Sequence, residues 1–321
     1  MTVLLTGVAG FIGYHVAEAL LARGETVIGI DNLNDYYDVR LKQARLERLK
    51  RHTGFRFLPL DFSEREAMLA LASEDISHIV HLGAQAGVRY SLINPYTYIT
   101  SNVMGHVVVL ELARQLKGLK NVVYASSSSV YGGNTKLPFA VGDAVETPVS
   151  LYAATKRSDE LISHTYAHLY GIPQVGLRFF TVYGPWGRPD MAPMLFAKAM
   201  LSGEAIKVFN NGEMWRDFTY IDDIVAGVLA AMNTPPQQTP PHKVYNLGNH
   251  KSEKLTDFIA ALEAALGVKA QKQFEPMQPG DVVSTYADIG ETQRDLGYEP
   301  ATPISAGVPQ FAVWYREFYR V

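Results

Sequence analysis

The chain has 321 residues, 47% hydrophobic and 19% charged, with a formal net charge of -3. That balance fits a globular protein with a sizeable core and excludes a disordered chain. It gives no bulk attraction to nucleic acid, so any basic residue that meets phosphate must be placed locally. There are no cysteines, which excludes disulfides, thiolate metal sites and a cysteine nucleophile and fits a cytoplasmic setting.

In chain order, the first half alternates β-branched runs with amphipathic segments. Val3–Thr6, Thr26–Ile30, Arg56–Leu60, His78–Leu82, Asn121–Ala125 and Gln174–Arg178 are predicted strands. Helices are predicted near Phe11–Arg23, Ser63–Ser73, Pro95–Leu116 and Tyr152–Tyr170, with Asn94 and Pro95 as cap and first helical residue. This rhythm implies an α/β fold with a Rossmann-like, doubly wound parallel sheet. After Arg178 the pattern loosens. A helix over Met191–Leu201, a strand at Ile206–Phe209, a strand–turn–helix in DFTYIDDIVAGVLAAM, a strand at Val244–Leu247 and helices over Leu255–Leu266 and Ile304–Tyr319 are expected. Thr234–Pro241, rich in proline, is a surface loop. Residues 1–180 with about 217–248 form the expected dinucleotide-binding domain, and 181–216 with 249–321 a smaller, interleaved C-terminal substrate-binding lobe. The apolar N-terminus is short, lacks a basic leader and is broken by glycines, so neither a signal peptide nor a membrane span is expected; no later run reaches about 18 apolar residues.

The first strand runs into Gly7, Gly10 and Gly13, then a helix. Such glycines allow a tight turn, close approach of backbone to a pyrophosphate and close helix–strand packing, and the helix N-terminus offers N–H groups to phosphate. Phe11 and Ile12, which open the helix, belong to the same expected cofactor set. The spacing is GxxGxxG, a weak signal alone and stronger between a strand and a helix. Asp31 ends the second strand about 20 residues on, where an acid accepts from ribose hydroxyls, so NAD is favoured over NADP. Asn32 assists. Asp61 fits the adenine amino group or, equally, a turn or cap in LDFSE.

Ser127 ends the fifth strand in YASSSSVYG, and 25 residues later SLYAATK supplies Tyr152 and Lys156. At i and i+4 these two share a helix face. Tyr-x-x-x-Lys is a frequent accident alone; the glycine turn and the serine cluster make it a catalytic set. Oxidising a sugar carbon with NAD needs a base for the hydroxyl proton. A phenol ordinarily titrates near ~10, and a neighbouring ammonium and a positive nicotinamide ring favour its anion. Lys156 also holds the nicotinamide ribose, and Ser127 orients the substrate oxygen toward Tyr152. No HxH or HExxH spacing points to a metal.

Together with HLGAQAGVRYS (81–91), SSSSVYGGN, PVSLYAATK, RFFTVYGPWGRPDMA (178–192), MWRDFTYIDDI (214–224) and QPGDVVSTYADI (278–289), these motifs make the chain resemble the extended short-chain dehydrogenase/reductases over almost its whole length. Within that group it is similar to the UDP-glucuronate 4-epimerases. The resemblance implies an NAD-dependent isomerase that inverts carbon 4 of UDP-glucuronate through a transient 4-keto sugar. A 4-epimerase of neutral UDP-hexoses and a UDP-glucuronate decarboxylase are the alternatives. Decarboxylating and dehydrating relatives carry Glu two places after the catalytic Ser or Thr, and dehydratases add Asp one place after it. This chain has Ser129 and Ser128 there, which argues for epimerisation.

The resemblance also implies a substrate set. Arg188 clamps the sugar carboxylate or is a solvated loop arginine, with hydroxyls from Thr181, Ser127 and Ser128. Arg216 meets the diphosphate, and Asp281 the uridine ribose. Gln278 stands where many neutral-sugar epimerases have Arg, which leaves fewer positive groups there. Phe209 and Val208 line the uracil pocket or pack in the core. Arg89 faces a phosphate or is structural, and Gly83 stands where Ala is usual. A homodimer through the helices near Pro95–Leu116 and Tyr152–Tyr170 is implied too, although their apolar lines are equally explained by packing on the sheet.

Overall fold

The computed structural model describes residues 1–278 and 281–321; Pro279 and Gly280, inside the last of the quoted motifs, lie outside the described residues. In the first half, β1 (Thr2–Thr6), α1 (Phe11–Ala22), β2 (Thr26–Ile30), α2 (Val39–Leu49), β3 (Phe55–Leu58), α3 (Arg65–Leu69), β4 (His78–His81), α4 (Pro95–Tyr98), α5 (Gly105–Gln115), β5 (Asn121–Ser127), α6 (Leu151–Tyr170) and β6 (Gln174–Phe179) alternate. Then come β7 (Thr181–Tyr183), α7 (Ala192–Leu201), β8 (Ala205–Phe209), β9 (Trp215–Arg216), β10 (Phe218–Tyr220), α8 (Ile221–Asn233), β11 (His242–Leu247), β12 (Glu253–Lys254), α9 (Leu255–Leu266), β13 (Gln271–Glu275), α10 (Gly290–Leu296) and α11 (Ile304–Tyr319).

Seven strands form one sheet in the order β11-β6-β5-β4-β1-β2-β3, and every neighbouring pair is parallel. The order reverses between β1 and β4, and a doubly wound sheet opens a ligand crevice at such a switch point. The strands read as nearly unbroken apolar runs because helices cover both faces. Side chains alternate between those faces. Val3 and Leu5 join one apolar cluster that continues to Phe258 and Trp314, whereas Leu4 joins a second with Ile79, Val109 and Leu112. The first cluster ties the C-terminal elements to the sheet through shared apolar contact.

Most expected elements are present, with three differences and six additions. The helix expected over 63–73 starts later, at Arg65, because the Asp61 carboxylate accepts from the Ser63 backbone N–H at 2.9 Å and holds a turn there, and it tightens to a 3-10 turn over Ala70–Ser73. The segment 95–116 is helical but widens over Ile99–Met104 into a π-type turn. Asn102 in that turn accepts from Gln85 N at 2.8 Å and donates to Gln85 O and Thr155 Oγ1. Asn94 makes no side-chain cap, although Pro95 does open the helix. The sequence pattern predicts no α2, β7, β9, β12, β13 or α10: VRLKQARLERL is charged, the QKQFE strand has no apolar alternation, and β7, β9 and β12 are only two or three residues long.

Burial keeps several histidines neutral. His81 is driven to about 3, His15 and His242 to about 4, and His78 and His106 are also lowered. Unfolding therefore takes up protons below the ordinary imidazole value of ~6.5, and stability falls with pH through that window. Asp159 and Asp217, lifted by burial to about 6, act in the opposite sense, as do Asp31 and Asp222. Asp159 and Asp217 take up their protons mainly below that value, so the histidines dominate the onset. The melting temperature is expected to decline as pH falls from about 7 toward 4, beginning near ~6.5. Calorimetry across that range checks this; a flat or rising profile contradicts it.

Candidate functional site

At the switch point, Gly7 takes φ +72° and its N–H donates to Ile30 O at 2.8 Å, turning the chain from β1 into α1. A Cβ on Gly13 would stand 2.1 Å from Gly7 O, and one on Gly7 2.8 Å from the Gly83 backbone. The cradle therefore exists only without side chains. No side chain caps α1 at Gly10, so its first N–H groups remain available to an anion. Asp31 accepts from Ala9 N at 3.1 Å and Leu33 N at 2.9 Å. Burial pushes its carboxyl up, while Lys42 and the two N–H groups oppose that. These features, a bare turn, a free helix end and an acid at the end of β2, fit a dinucleotide.

The cleft above them has a volume of about 1090 Å³. Gly7, Gly10, Phe11, Ile12, Gly13, Asp31 and Asn32 line it, as do Ser127, Ser128, Tyr152 and Lys156. Thr181, Arg188, Arg216, Asp281 and Arg89 line it too. Asp61 is not on its wall; it accepts from Asn32 Nδ2 at 2.8 Å and so acts one residue removed. Val208 is also not on the wall but fully buried in the core, because β8 alternates and turns Ile206 and Val208 inward. Phe209 does reach the cleft, with the Arg89 guanidinium 4.6 Å from its ring.

The catalytic candidates stand on β5 and α6. Ser127 Oγ lies 2.9 Å from Ser129 Oγ and accepts from Ser129 N at 3.2 Å. Ser150 caps α6 by accepting from Ala153 N, so Tyr152 stands in the first turn, its ring edge-on to Tyr98 at 6.1 Å. Lys156 is buried and donates to Ala125 O and Asp159 Oδ2, both at 3.0 Å. One turn further, Glu160 accepts from Ser126 Oγ at 2.6 Å, Arg178 Nε at 2.8 Å, Arg178 Nη2 at 2.9 Å and Arg157 Nη1 at 2.9 Å. Burial would raise its carboxyl, but these donors hold it below the usual value. That network fixes α6 against β5 and β6 and so sets Tyr152 and Lys156 relative to Ser127.

Across the cleft, Arg188 makes a two-pronged pair with Asp190, at 3.0 and 2.6 Å, and Tyr36 donates to the same carboxylate at 3.1 Å. Burial opposes the guanidinium charge, yet Asp190 outweighs it and the pKa is raised. Arg216 donates to Trp215 O and Val283 O; burial lowers its pKa against the pull of Asp281. Arg89 bridges to Asp281 at 2.9 Å, joining the loop after β4 to the C-terminal part.

Several site residues had no signal specific enough to find. Lys42 and Arg45 sit on α2. Lys42 lines the cleft, and the fully buried Arg45 donates to Ala9 O at 2.7 Å and to Trp186 O and Gly187 O, tying the glycine turn to the 184–190 loop. Glu160 could have been found, since it lies at i+4 from Lys156 on the same face. Among the described residues, no group of three or more His, Asp or Glu could hold a metal ion, and no helix is long and apolar enough to cross a membrane.

The parallel sheet, its glycine turn and the Ser, Tyr and Lys at one cleft define a dinucleotide-binding α/β protein. Residues 3–248 match the model of the NAD dependent epimerase/dehydratase family. UDP-glucuronate 4-epimerase 4 of Arabidopsis thaliana is 48% identical over 99% of this chain and 76% of its own. Protein CapI of Staphylococcus aureus is 46% identical over the whole of both. The crystal structure of UDP-glucuronic acid 4-epimerase from Bacillus cereus, in complex with UDP-glucuronic acid and NAD, superposes with a TM-score of 0.93 at 35% identity, covering 99% of this chain and all of that one. The chain belongs to the NAD dependent epimerase/dehydratase family.

Proposed function

We propose that this protein is an isomerase that interconverts UDP-glucuronate and UDP-galacturonate by inverting carbon 4, with NAD as its cofactor. The observation that carries this reading is the wall of the cleft around Ser127. Tyr152 and Lys156 stand there for proton transfer, while the two places where eliminating relatives carry acids hold the hydroxyls of Ser128 and Ser129. The likeness over nearly the whole of this chain to plant and bacterial UDP-glucuronate 4-epimerases supports the same substrate.

When bound, NAD supplies the hydride acceptor. Tyr152 takes the proton from the sugar 4-hydroxyl and returns it after inversion. Ser127 holds the same oxygen and aims it at the phenol. Lys156 keeps a positive charge behind the phenol and offers N–H to the cofactor ribose. Asp31 and Asn32 receive the adenosine ribose, and Gly7, Gly10, Phe11, Ile12 and Gly13 the pyrophosphate. Arg216 grips the diphosphate and Asp281 the uridine ribose, so the 4-keto sugar is free to turn and present its other face. Arg188, with Thr181, Ser127 and Ser128, receives the carboxylate. The cofactor unit is 1–180 with 217–248, and the sugar-nucleotide unit is 181–216 with 249–321.

The test is to incubate the protein with NAD and UDP-glucuronate and to separate the products. UDP-galacturonate is the expected product. UDP-pentose with carbon dioxide would show a decarboxylase, and turnover of UDP-glucose but not UDP-glucuronate would show a neutral-sugar epimerase.

The same reading places the protein in the cytoplasm as a homodimer. Exposed apolar side chains support the dimer: Ile93 and Tyr96 are 77% and 82% exposed, and Ile99, Met104, Leu161 and Leu169 extend the patch along neighbouring helices. An apolar patch of this kind marks an association surface. Ile93→Asp with Tyr96→Asp is expected to convert the dimer to monomer in sedimentation equilibrium; an unchanged mass contradicts this interface.

A further inference from the structure

Lys156 and Asp159 form an ion pair that the proposed mechanism uses only in part. Their side chains are 3% and 2% exposed, and Nζ lies 3.0 Å from Oδ2. An ammonium has three donors. One goes to Asp159 and one to Ala125 O at 3.0 Å, which leaves one for the cleft. A buried ammonium without an anion loses its proton readily. The surrounding groups offer little compensation. Glu160 is committed to Ser126, Arg157 and Arg178. His81 on β4 and His106 on α5 are held neutral, and the His106 ring meets the Asp159 main chain. Tyr124 on β5 is a neutral phenol, kept so by burial and then by Glu160 and Asp159. Asp159 Oδ1 has no hydrogen-bond partner among the described residues, so this carboxylate is desolvated chiefly for its contact with Lys156.

We propose that Asp159 is a positioning residue for the reaction: reaching Lys156 from three residues along α6, it keeps the ammonium charged and fixes two of its donors so that the third faces the cofactor. This rests on the functional reading above. Burial lifts the Asp159 carboxyl to about 6 even against the pull of Lys156, so the pair is sensitive to protonation just below neutrality.

The test has two arms. In Asp159→Asn the oxygen acceptor is kept and the charge is lost. The alkaline limb of the kcat profile with UDP-glucuronate is expected to move at least roughly one pH unit toward acid, while KM stays within about twofold. A profile that superposes on that of the unaltered protein overturns the proposal, and so does a loss of kcat with both limbs in place. Should the variant not fold, the NAD-loaded unaltered protein still decides. The ¹⁵N resonance of Lys156, identified by its disappearance in Lys156→Met, is expected to be that of an ammonium at the pH of activity. An amine resonance at neutral pH overturns the proposal. If the unaltered protein does not convert UDP-glucuronate, the functional reading fails, while the resonance still decides whether the buried Lys156 is held charged.

Discussion

Tyr152→Phe is expected to lower turnover by about 10²- to 10⁴-fold, the usual share of a positioned acid or base, while NAD remains in the cleft. The substitution removes one oxygen and leaves the ring against Tyr98 in place. The glycine turn, Asp31 and the free end of α1 lie on other elements and keep their geometry. The loss should therefore fall on kcat with KM little changed, because the proton transfer is made in the transition state. Cofactor content by absorbance and steady-state kinetics on the same preparation check both halves. Retained turnover would remove Tyr152 as the base.

Glu160→Ala is expected to destabilise the fold by about 3–5 kcal/mol, the cost of leaving a buried charge without its partner. Arg178 is 3% exposed at its side chain and spends Nε and Nη2 on Glu160. Its guanidinium sits 4.8 Å from the Tyr131 ring, which cannot replace a carboxylate. Ser126 Oγ would lose its acceptor as well. The double variant Glu160→Leu with Arg178→Met should recover part of the loss, since apolar side chains of similar volume often replace a buried pair at little cost. Denaturant unfolding of both variants checks this, and equal destabilisation in the two would show that the pair itself is not the source. Activity should also fall in Glu160→Ala, because this network locks α6, and with it Tyr152 and Lys156, onto β5.

The parallel sheet was legible because its strands are buried on both faces and announce themselves as apolar runs between glycine and proline breaks. The candidate site on β1, β5 and α6 was legible for a different reason: Gly7, Gly10, Gly13, Ser127, Tyr152 and Lys156 sit at local spacings that the strand–helix alternation brings to one cleft. The supports of that chemistry were not legible. Arg45 reaches Ala9, Trp186 and Gly187 from a helix whose charged surface hid it. Asp190, two residues from its partner Arg188, also accepts from Tyr36 across 154 residues, a contact no local pattern encodes. Val208 and Phe209 were indistinguishable by type, and only the register of β8 against β13 separates the core residue from the cleft residue.

The central claim is that carbon 4 is inverted by removing a hydride and returning it within one cleft. UDP-glucuronate carrying deuterium at carbon 4 measures this directly. Retention of the label at carbon 4 of UDP-galacturonate, with none gained from deuterated water when unlabelled substrate is used, is the expected result. Washout of the label to solvent would mean that the hydrogen leaves as a proton, and would contradict the mechanism built on Tyr152 and NAD.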